Sequence, residues 1–86
     1  MPLYFSAHTT ACLTKQSLRE VMLELFAARE VKVRRAVASQ IAGRMLIEVE
    51  AADAASLERF LKARNLVWEW IMRIDLDGSG GTVSET

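Results

Sequence analysis

The residues that could perform acid–base chemistry are few. His8 is the only histidine and Cys12 the only cysteine of the 86 residues. His8 lies in a segment where apolar and polar residues alternate, and Glu48 and Glu50 lie in another. If these segments are neighbouring strands, a carboxylate could orient the imidazole and raise its basicity. His8 and Glu48 are the candidate catalytic pair; the alternative is that His8 makes only a surface or interface hydrogen bond.

Charged residues near the end of the chain could bind an anion. Glu69 and Arg73 lie on the same face of one alternating segment, and Arg34 lies in an earlier segment. The alternative for these charges is cross-strand or inter-subunit ion pairing. Tyr4 and Ser6 share the face of His8 in the first segment. The candidate ligand site therefore comprises Tyr4, Ser6, His8, Glu48, Glu69 and Arg73.

Several other classes of chemistry are excluded by composition. One cysteine and one histidine allow neither an internal disulfide nor a Cys/His zinc site. There is no glycine-rich phosphate loop and no two-histidine metal site, so we expect neither a cofactor nor a metal. The 11 basic and 11 acidic residues cancel, which predicts no general attraction to nucleic acid or to a membrane surface. A lone cysteine without an export signal favours a cytoplasmic location.

The elements that must position these residues can be read from periodicity. Alternation predicts four strands, and spacings of three and four residues predict two amphipathic helices. Thr14 and Asp53 are the expected N-caps, and Asn65 suits the left-handed position that ends a helix. The predicted strands cover 3–9, 31–38, 44–51 and 67–76, with helices over 15–29 and from 54 to about 64.

This order predicts an α+β domain of ferredoxin-like βαββαβ topology over residues 1–76, followed by a flexible tail over 77–86. Two crossovers would place both helices on one face of a four-stranded antiparallel sheet. We expect the apolar phase of each of the four strands to face the helices: Leu3, Phe5 and Ala7; Val31, Val33 and Val37; Met45, Ile47 and Val49; and Trp68, Trp70, Met72, Ile74 and Leu76. Tyr4, Ser6 and His8 would then lie on the open face.

A second copy of the chain is the expected partner. A domain of this size buries only roughly 60% of its unfolded surface, and this one has no disulfide or metal to compensate. An open sheet face of this plan can also bind RNA. That use needs aromatic residues on the first and third strands, and the third strand has none and carries Glu48 and Glu50.

Three stretches carry a family resemblance: Met45–Ala51, Asp53–Leu61 and Trp68–Leu76. They resemble the C-terminal half of the dimeric α/β-barrel superfamily and are similar to muconolactone isomerases and to short bacterial proteins of that fold. The resemblance implies two sheets packed face to face, with ligands inside the barrel or between sheet and helices. The hypothesis that follows is a homodimeric small-molecule-binding or accessory module. The alternatives are a cofactor-free isomerase or monooxygenase, with His8 as base or proton donor and Arg73 as anion anchor, and a structural interaction domain.

Overall fold

The computed structural model describes all 86 residues and contains two helices and six strands. The helices are α1, Lys15–Phe26, and α2, Ala54–Ala63. The strands are β1 Leu3–Thr9, β2 Lys32–Ser39, β3 Arg44–Glu50, β4 Trp68–Ile74, β5 Leu76–Ser79 and β6 Thr82–Glu85.

The first four strands form one antiparallel sheet in the order β2-β3-β1-β4. The β1-α1-β2 connection passes over β3, and the β3-α2-β4 connection passes over β1. Both helices contribute side chains to one core cluster on one face of the sheet. This α+β arrangement is compatible with the predicted ferredoxin-like topology, with β5 and β6 added at the end.

Both helices begin where the sequence predicts. The Thr14 hydroxyl accepts a hydrogen bond from the Ser17 amide at 3.1 Å, and an Asp53 carboxylate oxygen accepts one from the Ser56 amide at 2.7 Å. Each bond satisfies an amide that the first helical turn leaves free. Asn65 has φ of 57°, which confirms the left-handed residue expected after α2.

The prediction for the two faces of β1 was wrong. Tyr4, Ser6 and His8 are buried on the helix side, whereas Leu3, Phe5 and Ala7 lie on the open face. The register explains the reversal: the partners of Tyr4, Ser6 and His8 on β3 are Val49, Ile47 and Met45, the residues that form its core face. Directly paired residues share a face of the sheet.

Two irregularities break the alternation on which the predictions for β2 and β4 rested. The pairing of β1 with β4 shifts between Ala7 and His8, so Trp68 and Ile71 both pack on the core. Trp70, Met72 and Ile74 consequently lie on the open face, contrary to prediction. The pairing of β2 with β3 shifts near Arg34, which moves Val37 to the open face, where it pairs with Leu46. An inserted residue reverses the alternation beyond it.

The predicted tail, 77–86, contains regular structure. β5 and β6 pair in register from Leu76 with Glu85 to Ser79 with Thr82. Gly80 and Gly81, with φ of 59° and 86°, form the turn. Glycines adopt such backbone angles without the steric cost that other residues incur. The chain therefore ends in an exposed hairpin that forms a separate two-stranded sheet, which the glycine-rich composition did not suggest.

Candidate functional site

His8 lies in a closed hydrogen-bond network beneath the helices. Its side chain is 1% exposed and that of Ser6 is not exposed at all. Nδ1 of His8 is 3.1 Å from the Val67 carbonyl oxygen, which can only accept, so Nδ1 donates. Nε2 lies 2.8 Å from Ser6 Oγ and therefore accepts from the hydroxyl when the ring is neutral.

This environment opposes protonation of the imidazole. Burial lowers the pKa of His8 from its ordinary value of 6.5, and the hydrogen bond to the Val67 carbonyl offsets part of that effect. The serine–histidine contact has the order of atoms found in hydrolytic dyads. Neither side chain reaches solvent, so the pair presents no nucleophile. The hydrogen bond from His8 to the Val67 carbonyl instead ties β1 to the residue that precedes β4.

The predicted pairing of His8 with Glu48 is not formed. The partner of Glu48 in β1 is Phe5, which lies on the open face, whereas His8 lies on the helix side. A carboxylate oxygen of Glu48 is instead 3.7 Å from Nε of Arg34. The sheet itself separates the imidazole from the carboxylate, because odd and even positions of β1 point to opposite faces.

The other predicted charged residues also lie apart, each in an ion pair. Glu69 accepts hydrogen bonds from Arg44 Nε at 2.8 Å and from the Thr9 hydroxyl at 3.1 Å. These two donors hold the pKa of the Glu69 carboxyl below its usual range, the guanidinium having the larger effect. Arg73 approaches Asp75 at 3.7 Å. Cross-strand pairing is thus found for Glu69, whose partner Arg44 the sequence did not reveal, whereas Arg73 contacts a carboxylate only two residues further along the chain.

The open face carries an apolar band that crosses all four strands of the main sheet. Trp70 and Leu46 flank Ala7 on either side in the register, and Ala7 is only 1% exposed as a result. Met72 and Val37 remain close to half exposed. The apolar band consists of Leu3, Phe5, Ala7, Val37, Leu46, Trp70, Met72 and Ile74.

A charged strip borders the apolar band at the β2 edge. Lys32 and Arg34 on β2 face Glu48 and Glu50 on β3, with nitrogen–oxygen distances of 3.7 to 4.0 Å. Arg35, which pairs in register with Glu48, completes the strip. A shallow cavity of about 120 Å³ lies where strip and band meet, lined mainly by Phe5, Arg35, Val37, Leu46 and Glu48. It offers one guanidinium and one carboxylate beside an apolar wall.

The fold and these surfaces define a class: a two-layer α+β protein with one sheet face packed on helices and the other open and largely apolar. No group of three or more histidine, cysteine, aspartate or glutamate side chains is placed to hold a metal ion. Neither helix has the length and apolar character required to traverse a bilayer. Compared with known proteins, the chain matches no protein-family model, no curated protein and no solved structure.

Proposed function

We propose that this chain forms a homodimer of the dimeric α/β-barrel type, by pairing the open faces of two ferredoxin-like sheets, and that it serves as a small-molecule-binding or accessory module. The observation that carries the proposal is the apolar band. Trp70, Met72, Val37 and Leu46 are each between 37% and 49% exposed on one contiguous surface. Large contiguous apolar patches on a monomer mark interaction surfaces.

The occupant we propose is a second copy, because the face is apolar and the charges beside it already have partners within the chain. With strands roughly 4.8 Å apart and a rise of about 3.3 Å per residue, four strands of seven residues cover roughly 19 by 23 Å. Two such faces together cover only about 870 Å², below the roughly 1,200 Å² at which stable specific interfaces begin, so the proposed dimer belongs to the weak, transient class. Glu48 and Glu50 already have partners on β2. Covering them therefore leaves neither carboxylate without a counter-charge.

A ligand site follows from the same pairing. The cavity beside Phe5, Arg35 and Glu48 opens onto the face that the second copy would cover. A second copy that covers the cavity would exclude water from it, and the polar contacts to a bound molecule would then be stronger. Arg35 and Glu48 would give such a site one cation and one anion, which suits a small, partly apolar molecule with a polar group.

The position of His8 gives the enzyme alternative no support. A general base must come within about 3 Å of the proton it removes, or within reach of one bridging water. The His8 side chain is 1% exposed and both ring nitrogens have protein partners. The accessory or binding role therefore fits the geometry better than catalysis through His8.

The test is to place a charge on the apolar band and to compare it with the same charge elsewhere. Met72→Lys adds an ammonium at a side chain that is 49% exposed on the open face. Ile41→Lys adds the same group at a fully exposed turn and is the matched control. Sedimentation velocity should show a monomer for Met72→Lys and a dimer for Ile41→Lys. A dimer that survives Met72→Lys unchanged would place the interface elsewhere.

A further inference from the structure

A groove of about 600 Å³ runs between α1 and the edge strand β2, and it shares Val37 with the cavity of the open face. Ligand sites for small molecules typically have volumes of about 300 to 1,000 Å³. We infer that this groove binds a single-chain amphipathic carboxylate, a molecule with an alkyl chain and one anionic head. The inference depends only on α1 and β2 and does not require the homodimer.

One stripe of α1 supplies the apolar wall. Leu18, Met22 and Phe26 follow one another at intervals of four residues and line the groove, with Leu23 beside them. Leu23 is 63% exposed and Phe26 is 48% exposed. Apolar side chains of this size, left uncovered next to buried ones, gain free energy when an alkyl chain covers them.

The groove is positively charged at one end only. Lys15 and Arg19 lie one turn apart in the first half of α1, and both line the groove. Six ion pairs occur in the chain, and neither residue takes part in any of them. No carboxylate lines the groove. The positive end of the α1 dipole adds to the same potential.

Charge and apolar surface are therefore separated along the helix axis. Lys15 and Phe26 are eleven residues apart, which corresponds to roughly 16 Å at about 1.5 Å per residue. A carboxylate head between Lys15 and Arg19 would leave its alkyl chain directed along the apolar wall. A neutral apolar occupant would cover the same wall without using the two cations, and a cationic one would be repelled by them.

The experiment uses the full chain and three probes with the same ten-carbon chain: sodium decanoate and decyltrimethylammonium below their micelle concentrations, and decanol below its solubility limit. Calorimetric titration should give one decanoate bound per chain, weaker binding of decanol and no binding of the cation. The double variant Lys15→Gln/Arg19→Gln should weaken decanoate binding about tenfold or more, because it removes both charge-assisted contacts. Arg59→Gln/Lys62→Gln, on α2, is the matched control and should bind as the unmodified chain does.

The apolar wall is tested separately. Leu23→Ser should weaken decanoate several-fold, whereas Ile41→Ser, also at an exposed aliphatic side chain, should not. Selective labelling of the methionine methyl groups locates the ligand without any variant: decanoate should shift the resonance of Met22, in the groove, and leave that of Met72, on the open face, unchanged. Met22 therefore reports binding in the groove, and Met72 reports binding on the open face.

Four results of the binding and labelling experiments would overturn the inference. They are the absence of saturable decanoate binding, equal binding of the cationic probe, equal weakening by the α2 control, and a shift of Met72 in place of Met22. A groove already covered by a second copy would also overturn it. In that case Leu23→Ser would lower the mass measured by light scattering, and decanoate would not bind the unmodified chain.

Discussion

Acidification should destabilise the fold through a single side chain. Burial lowers the pKa of His8 below 6.5 in the folded state, whereas the unfolded chain has the ordinary value. Below pH 6.5 the unfolded state therefore binds more protons than the folded one, and the free energy of unfolding falls as pH falls. The contribution of neutral His8 to the free energy of unfolding is fully present above pH 6.5. It decreases below that pH until His8 of the folded state is also protonated.

The size of the stability loss is limited because only one group, His8, titrates in this pH range. A single histidine can change the free energy of unfolding by at most about 1.4 kcal/mol per pH unit. The pKa values of Glu30, Asp53 and Glu69 are lowered from ordinary values of 4.5, 3.8 and 4.5, so their titration affects stability only at lower pH. The window from pH 5 to 6.5 consequently isolates His8, which is the only histidine.

The assay is urea unfolding followed by tryptophan fluorescence at fixed protein concentration between pH 5 and 8. The unmodified chain should lose stability across the window, and His8→Gln should show a flat profile there, whatever its absolute stability. Ser6→Ala should cost about 1–3 kcal/mol at pH 8, because His8 Nε2 then lacks its donor. Equal slopes for the unmodified chain and His8→Gln would refute the reasoning.

Two further predictions concern the positions that hold the sheet and the core together. Gly43, with φ of 65°, precedes β3, and a Cβ there would lie 3.2 Å from Ala11, so Gly43→Ala should cost about 1–2 kcal/mol or more in thermal unfolding. Gly80→Ala is the control: φ there is 59° and no atom lies within 4 Å of the added Cβ, so only the backbone strain remains and the loss should be smaller. An equal loss would show that the Ala11 contact is unimportant. Leu57→Ala, at a side chain with no exposure, should cost about 2–5 kcal/mol by urea unfolding, whereas Leu23→Ala, 63% exposed, should stay within about 0.5 kcal/mol.

The sequence predicts the elements of this fold because helix caps and periodicity are local. Thr14, Asp53 and Asn65 end or begin helices through contacts with residues three or four positions away. The core face of β3 was also predicted, since Met45, Ile47 and Val49 form one uninterrupted apolar phase. Local chemistry is sufficient for these features.

The faces of β1 and β4 could not be predicted in the same way. Both phases of β1 contain apolar residues, and only pairing with β3, forty residues away, decides which one meets the helices. The irregularity beside His8 shifts the phase of β4 and leaves no mark in its alternation. Strict alternation therefore predicts Trp70 and Met72 in the core, and it does not reveal the apolar band.

The candidate site depended on the same long-range register. His8 and Glu48 do lie on neighbouring strands, as expected, but the reversed phase of β1 places them on opposite faces. The hydrogen bond from His8 to Val67 joins residues 59 positions apart and has no signature in the sequence. One signal was available, however: a histidine flanked by Ala7 and two threonines, with no charge nearby, is compatible with burial.

The measurement that tests the central proposal most directly is the mass of the unmodified chain by light scattering across a dilution series. Pairing through the open face predicts a species of twice the 9.6 kDa chain mass that dissociates on dilution, as an interface smaller than about 1,200 Å² should. A mass of 9.6 kDa at every concentration would contradict the proposal and would leave the apolar band exposed to solvent.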